Sequence, residues 1–213
     1  MKRLELNPAV RTSLAQGILS SLKNSVPGST AELKGSLAEG TADIYSDIDI
    51  VWEIPDRNFN EATAQFLPTM IKVQPVESLR SSPEFQNSQK RRLYFVQFEG
   101  VPLFWRVDIE IFAESIGRDP EFDLDNASAR GVEWSNTHCA LMNALAAIKA
   151  LLRSRREMAG EILDRGFERV GCEVPGEFAP EHILRLIRQV CEIDPQQAAL
   201  ASKIERLYLE EFV

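Results

Sequence analysis

An alternating pattern at residues 47–54 constrains the fold of this chain more than any other feature. Apolar side chains take the even positions, while the odd positions carry Asp47, Asp49, Val51 and Glu53. A period of two residues predicts a β-strand with one buried face. Asp47 and Asp49 therefore share the polar face of one strand, so this chain must build a sheet whose other face is covered.

Further strand patterns lie on both sides of this segment. Residues 30–35 predict a short strand, and the aromatic-rich runs 92–98 and 103–112, separated by Glu99-Gly100-Val101-Pro102, predict a hairpin. In the second run, alternation puts Asp108 and Glu110 on the same face. The sequence thus predicts two strands that each carry a pair of carboxylates two residues apart.

The remaining patterns are helical or irregular. Asn7-Pro8 opens a helix predicted over 8–24, and apolar spacing predicts another over 59–72, whereas residues 73–90 give no prediction. Residues 113–134 are acidic and turn-rich, as in a linker or a loop packed at a domain boundary. From there to the last residue, apolar side chains recur at helical spacing, with a break at Gly171 to Gly176. The three apolar stripes are Leu141, Leu145, Ile148 and Leu152, then Ile183, Leu186, Ile187 and Val190, and then Ile204, Leu207 and Leu209.

These patterns together predict an α/β (α+β) protein. Its small mixed sheet is flanked by helices and followed by a C-terminal helical domain, with domains at 1–115 and 116–213. The apolar strand faces put Trp52 and Trp105 in the core.

Composition narrows the functional classes. The chain has 213 residues, 44% hydrophobic and 26% charged, which is typical of a globular protein. A net charge of -8 disfavours binding along a nucleic-acid backbone. Three separated cysteines and two histidines form no zinc pattern, and no segment approaches the ~18 apolar residues of a membrane span. We therefore expect a cytoplasmic protein without a nucleic-acid or membrane partner.

The segment from Gly35 to Asp49 carries the chemistry. Gly35 permits a phosphate to approach the backbone, and Ser36 offers its hydroxyl and its N–H to phosphate oxygens. Asp47 and Asp49 supply oxygen ligands for a divalent cation, and Asp108 on a later strand is placed to be the third ligand. Three such carboxylates suit the two-ion site of in-line phosphoryl transfer.

This pattern resembles the nucleotidyltransferase superfamily of the DNA polymerase β type, particularly its small bacterial members, which include antibiotic nucleotidyltransferases. Gly35, Ser36, Asp47, Asp49 and Asp108 match the family's motif over residues 8–112. The resemblance implies that the three aspartates hold Mg²⁺ and that Gly35-Ser36 grips a nucleoside triphosphate, most simply ATP. It also implies transfer of a nucleoside monophosphate to a hydroxyl of a small acceptor, such as an aminoglycoside-like antibiotic, with release of pyrophosphate.

Three further residues complete the predicted site. Glu110 is a candidate general base toward the acceptor hydroxyl, although a partly solvated strand position explains it equally. Lys149 is a candidate counter-charge for the triphosphate, and a solvated helix face is the alternative. Ser46 is a further candidate for binding the nucleotide. The loop after Ser36 offers Leu37 and Glu39 but no cation, whereas many relatives carry a basic residue there.

Two other functions stay open at this point. One is the nucleotidyltransferase half of a toxin–antitoxin pair, which acts on a partner protein and would expose an unusually apolar helix face within 135–213. The other is a catalytically silent nucleotide-binding module, favoured if the loop without a cation cannot hold a triphosphate.

Overall fold

The structure is a computed structural model that describes residues 6–213. It divides into two compact units, one ending at Glu133 and one running from Trp134 to Val213. Residues 114–133 lie in the first unit as a 3₁₀ turn, Glu114–Ile116, followed by further turns. The predicted division into domains 1–115 and 116–213 stays a prediction.

The first unit contains four helices and five strands within its described part. In chain order they are α1 (Pro8–Ser25), β1 (Thr30–Lys34), α2 (Gly35–Glu39), β2 (Ile48–Ile54), α3 (Phe59–Ala64), α4 (Phe66–Ile71), β3 (Val76–Ser81), β4 (Arg91–Phe98) and β5 (Val107–Ala113). The predicted opening of α1 is confirmed, since the Asn7 side chain accepts a hydrogen bond from the backbone N–H of Ala9.

One mixed sheet organises this unit. Its strand order is β1-β2-β5-β4-β3. Strand β2 runs parallel to β5, and the other neighbouring pairs are antiparallel, including the predicted hairpin pair β4–β5. The predicted fold class, a small mixed sheet flanked by helices, is therefore confirmed.

The core lies on one face of the sheet. Apolar side chains of β2 and β5 pack there with side chains of α1, α3 and α4, and Ile48, Ile50, Ile109 and Ile111 are almost fully buried. Trp52 is equally buried, as predicted. Because side chains alternate across a strand, the acidic positions of β2 and β5 lie on the opposite face.

Several predicted boundaries in this unit are wrong. The helix predicted over 59–72 is divided at Gln65 into α3 and α4. Pro68 explains the division, because it has no N–H and its ring would clash with the carbonyl four residues earlier. The strand predicted to begin at Leu103 begins at Val107. Leu103–Trp105 forms a 3₁₀ turn after Pro102, and Trp105 is buried there outside the strand.

The segment without a prediction, 73–90, contains strand β3. Its burial does not alternate cleanly, and its pairing with β4 shifts register between Val76 and Ser78. Edge strands with a bulge lack the strict two-residue period on which sequence patterns depend.

The second unit is helical. It contains α5 (Asn136–Leu152), α6 (Arg156–Arg169), α7 (His182–Ile193) and α8 (Ala198–Phe212). The break predicted at Gly171 to Gly176 lies between α6 and α7. The third predicted stripe is wrong in part, because Leu209 is 44% exposed and the buried residues of α8 are Ala201, Ile204 and Tyr208.

Within residues 6–213, none of the helices combines the length and the apolar character that a membrane crossing requires.

Candidate active site

Two of the predicted metal ligands are direct neighbours across two parallel strands. Asp49 on β2 is the register partner of Asp108 on β5. Residues directly opposite one another in a sheet project to the same face, and neighbouring strands lie about 4.8 Å apart. Asp47 precedes β2 by one residue and Asp49 by two, so it lies on the same side of the chain. Folding therefore brings two carboxylates separated by 59 positions to adjacent strands.

Gly35 lies against one of these carboxylates. Its φ angle is +59°, and a Cβ atom added there would lie 2.9 Å from Oδ2 of Asp49. A larger residue is disfavoured on both counts, because L side chains rarely adopt this backbone region and the Asp49 carboxylate would have to move aside. The Gly-Ser part of the motif thus packs directly on the Asp-x-Asp part, with the partly buried Ser36 next in the chain.

The turn before Asp47 is held from two sides. Arg11 of α1, only 3% exposed, donates hydrogen bonds to the carbonyls of Asp43 and Ser46, the latter at 2.9 Å. Trp105 Nε1 donates to the carbonyl of Ile44 at 2.8 Å. Burial lowers the pKa of Arg11, and the charges of Asp43 and Asp47 oppose that shift. These contacts set the position of the backbone that presents Asp47.

Ser46 contributes to the same turn. Its hydroxyl donates to Oδ1 of Asp43 at 2.9 Å and accepts from the Asp43 backbone N–H at 3.1 Å. These hydrogen bonds close a turn of four residues that leads into β2. The predicted contact of Ser46 with nucleotide stays a prediction.

Asp108 is held by an arginine two residues earlier on the same chain. Arg106 Nε donates to Oδ1 and Nη2 donates to Oδ2, each at 2.6 Å. Burial disfavours the charge of Arg106, but hydrogen bonding and the charge of Asp108, with further attraction from Asp47 and Asp49, raise its pKa. Arg106 is thus the counter-charge of the whole aspartate cluster, and sequence reasoning missed it although it shares a strand face with Asp108.

Glu110, the predicted general base, has cations on either side. Lys34 Nζ lies 2.6 Å from Oε2, and Arg91 Nη2 lies 4.0 Å from Oε1. Burial lowers the pKa of Arg91, although the charge of Glu110 opposes that shift. Lys34 is the last residue of β1 and directly precedes Gly35, so a positively charged residue lies next to Gly35-Ser36 in the chain. The role of Glu110 as a base stays a prediction.

A divalent cation fits this donor set in part. Carboxylate oxygens are the ligands that Mg²⁺ prefers, and Asp47 and Asp49 provide them. Both oxygens of Asp108 accept hydrogen bonds from Arg106. Among residues 6–213, no group of three or more His, Cys, Asp or Glu side chains is arranged to hold a metal ion. Asp108 therefore fits the cation only when Arg106 releases it.

Lys149 belongs to the second unit. It lies in the last turn of α5 and is partly buried. Its predicted contact with a triphosphate stays a prediction.

The order of motif and strands is the one that the resemblance implies. Gly35-Ser36 follows β1, the two aspartates open β2, and the third aspartate lies on a strand parallel to β2.

The known proteins to which this chain is similar resemble it weakly. No protein-family model and no curated protein sequence matches the chain. Among solved structures, a chain of a GLD-2/RNP-8 complex is 14% identical with a TM-score of 0.36, the match covering 83% of this chain and 63% of that chain. An aminoglycoside 6-adenyltransferase from Bacillus subtilis is 8% identical with a TM-score of 0.33, covering 90% of this chain and 89% of that chain. This chain thus spans less than two thirds of the first of these chains, and at such TM-scores neither likeness says anything about activity.

Proposed function

We propose that the protein transfers a nucleoside monophosphate from a nucleoside triphosphate, most simply ATP, to a hydroxyl of an acceptor. The observation that supports this most is the pairing of Asp49 with Asp108 on parallel strands, with Gly35 in contact with Asp49. Carboxylates on adjacent strands beside a glycine turn suit a reaction in which phosphate charge is neutralised by ions.

In the proposed reaction, the acceptor oxygen forms a bond to the α-phosphorus. The bond from the α-phosphorus to the oxygen that bridges to the β-phosphorus breaks, and pyrophosphate leaves with that electron pair. The hydroxyl proton passes to a base, for which Glu110 is our candidate because it lies one strand repeat beyond Asp108 on the same face.

Mg²⁺ is the proposed cofactor. Asp47 and Asp49 would hold it, with Asp108 as a third ligand after Arg106 moves away. Bound there, the ion neutralises charge on phosphate oxygens. Gly35 and Ser36 would bind the phosphate chain through their backbone.

A catalytically silent nucleotide-binding module is the second candidate. The hydrogen bonds of Arg106 to both oxygens of Asp108 favour it, because they hold the third carboxylate away from a cation. The toxin–antitoxin alternative, which needs a partner protein, stays a prediction.

Transfer of labelled nucleotide tests the proposal. The protein is incubated with each α-labelled nucleoside triphosphate, Mg²⁺ and a panel of hydroxylated acceptors that includes an aminoglycoside and a protein partner. We expect label on one acceptor and an equal amount of pyrophosphate. Asp49→Asn should abolish both, since an amide cannot replace an anionic ligand of a hard cation.

Glu53→Gln is the matched control, because Glu53 lies further along β2 on the same face and 3.9 Å from Arg118. It should leave transfer unchanged. Triphosphate binding without transfer to any acceptor would favour the silent module, and transfer that survives Asp49→Asn would contradict the proposed site.

A further inference from the structure

The guanidinium group of Arg106 lies among the three aspartates, where a bound cation would otherwise supply positive charge. It donates to both carboxylate oxygens of Asp108 at 2.6 Å, and the charges of Asp47 and Asp49 attract it as well. The side chains of Arg106 and Asp108 are both mostly buried, so dissolved salt screens this ion pair weakly. The chain itself therefore places one fixed cation at the aspartate cluster.

Two further contacts hold Arg106 in this position. The backbone N–H of Ile48, the residue between the first two aspartates, donates to the carbonyl of Arg106 at 3.0 Å. The Cζ atom of Arg106 lies 4.9 Å from the centroid of the Phe95 ring, within the range of a cation–π interaction. To leave Asp108, the guanidinium group must give up both hydrogen bonds and part of its contact with this ring.

The balance of charge in the cluster matches a single divalent cation. The three ionised aspartates carry three negative charges, and Arg106 cancels one of them. Lys34 and Glu110 pair with each other and leave this balance unchanged. A divalent cation on the oxygen ligands of the first two aspartates cancels the remaining charge. A second cation would enter a balanced site, and it would have to break both hydrogen bonds of the ion pair to gain the third carboxylate.

We propose that Arg106 takes the place of the second ion of a two-ion phosphoryl-transfer site. The chain without nucleotide then binds one divalent cation, at Asp47 and Asp49, and a second enters at Asp108 only in exchange for the guanidinium group. This inference rests on the proposed function and deepens it by stating how many ions the site takes up from solution. Two-ion sites neutralise the reacting phosphate with two dications. Here the guanidinium group supplies part of that positive charge.

Counting bound Mn²⁺ tests the inference without nucleotide or acceptor. The full chain is titrated with Mn²⁺, and the free ion is measured by electron paramagnetic resonance, in which the hydrated ion gives the sharp signal. We expect one ion per wild-type chain, and a second bound roughly 100-fold more weakly or not at all, since two charge-assisted hydrogen bonds must break. Arg106→Gln should bind two ions, because Asp108 becomes available as a ligand.

The double variant Arg106→Gln/Asp108→Asn is the matched control. It removes one positive and one negative charge, so it keeps the charge balance of the wild type and should bind one ion with an affinity close to the wild-type value. Arg118→Gln removes an exposed arginine that pairs with Glu32, and it should also stay at one ion. Asp49→Asn should lose the first ion, since an amide is a poor ligand for a hard cation.

Arg106→Lys provides a second measure that does not depend on the folding of Arg106→Gln. It keeps the charge but not the bidentate geometry, so one tight ion should remain and the second should bind about tenfold more tightly than in the wild type. Two ions of similar affinity on the wild-type chain, or no bound ion, would overturn the inference. A folded Arg106→Gln that binds one ion would also overturn it, and so would a double variant that binds two.

Failure of the proposed function has a different signature. In that case the wild-type chain transfers no label from any triphosphate, while counts of one ion for the wild type and two for Arg106→Gln still support the inference. Transfer of label by a wild-type chain that holds two tight ions without nucleotide would keep the proposed function and overturn the inference.

Discussion

Arg106 holds both carboxylate oxygens of Asp108 through two hydrogen bonds of 2.6 Å. The two side chains are only 26% and 18% exposed, so solvent screens the pair incompletely. Arg106 also offsets the charges of Asp47 and Asp49. The ion pair therefore reduces the electrostatic repulsion among Asp47, Asp49 and Asp108 when no cation is bound. A bound cation that displaces Arg106 must supply the same compensating positive charge.

Replacing Arg106 should couple stability to divalent cations. Arg106→Gln leaves Asp108 charged and without its bidentate partner, so we expect the free energy of unfolding to fall by roughly 1–3 kcal/mol in the absence of Mg²⁺. Mg²⁺ should restore part of this loss, because it binds the vacated carboxylate in the folded state. Urea unfolding with and without Mg²⁺, and Mn²⁺ titration followed by electron paramagnetic resonance, measure both effects.

Arg118 provides the control for this prediction. Its pair with Glu32 is 2.9 Å long but 45% and 57% exposed. Arg118→Gln should cost less than about 1 kcal/mol and should show no response to Mg²⁺. Equal behaviour of the two variants would contradict the role of Arg106.

A side chain at Gly35 should lower both stability and nucleotidyl transfer. Gly35→Ala combines a strained backbone at φ +59° with a Cβ atom 2.9 Å from Oδ2 of Asp49. We expect a loss of roughly 1–2 kcal/mol from the backbone alone and, because the carboxylate must move, a loss of nucleotidyl transfer. Gly40→Ala has a φ of +71° but nothing within 4 Å of the added atom. It should lower stability to a similar extent while leaving transfer intact, and a matching loss of transfer would refute the contact argument.

Glu110→Gln separates the chemical step from binding. If Glu110 accepts the proton of the acceptor, the single-turnover rate should fall by roughly 10²–10⁴-fold while triphosphate affinity is unchanged. Stability should change by less than about 1 kcal/mol, since its partner Lys34 is 57% exposed. Glu32→Gln, on β1 of the same sheet, is the control and should retain the rate. A wild-type rate in Glu110→Gln would remove Glu110 from the reaction.

The pairing of Ser115 with Asp56 predicts a pH effect. The Ser115 hydroxyl and backbone N–H both donate to Asp56 and hold the pKa of that carboxyl below its usual 3.8. A carboxyl with a lowered pKa stabilises the folded state above pH ~4, and this contribution is lost as the pH falls through the lowered value. Ser115→Ala should raise the pKa of Asp56 toward 3.8, as measured by nuclear magnetic resonance titration. An unchanged titration would show that the Ser115 hydroxyl does not set this pKa, and that the backbone N–H of Ser115, which the variant keeps, and Lys90, 3.5 Å away, set it instead.

The sequence by itself determined the polar and apolar faces of the central strands. Alternation at residues 47–54 and 107–112 depends only on the two-residue period of a strand, which holds whatever the strand pairs with. The Asn7 cap of α1 was predictable for the same reason, since a cap involves neighbours in the chain. Asp47 and Asp49 could therefore be named as one pair before any tertiary contact was known, and the motif of the resembled superfamily added Asp108 to them.

Tertiary structure alone decided which side chains oppose one another. The strand order β1-β2-β5-β4-β3 pairs residues far apart in the chain, and this register places Phe95 opposite Asp108 and Arg80 opposite Phe95. The ion pair between Lys34 and Glu110, which are 76 positions apart, likewise depends on β1 and β5 both pairing with β2. Local patterns carry no information about strand order or register, because both are set by packing of the whole sheet against its helices.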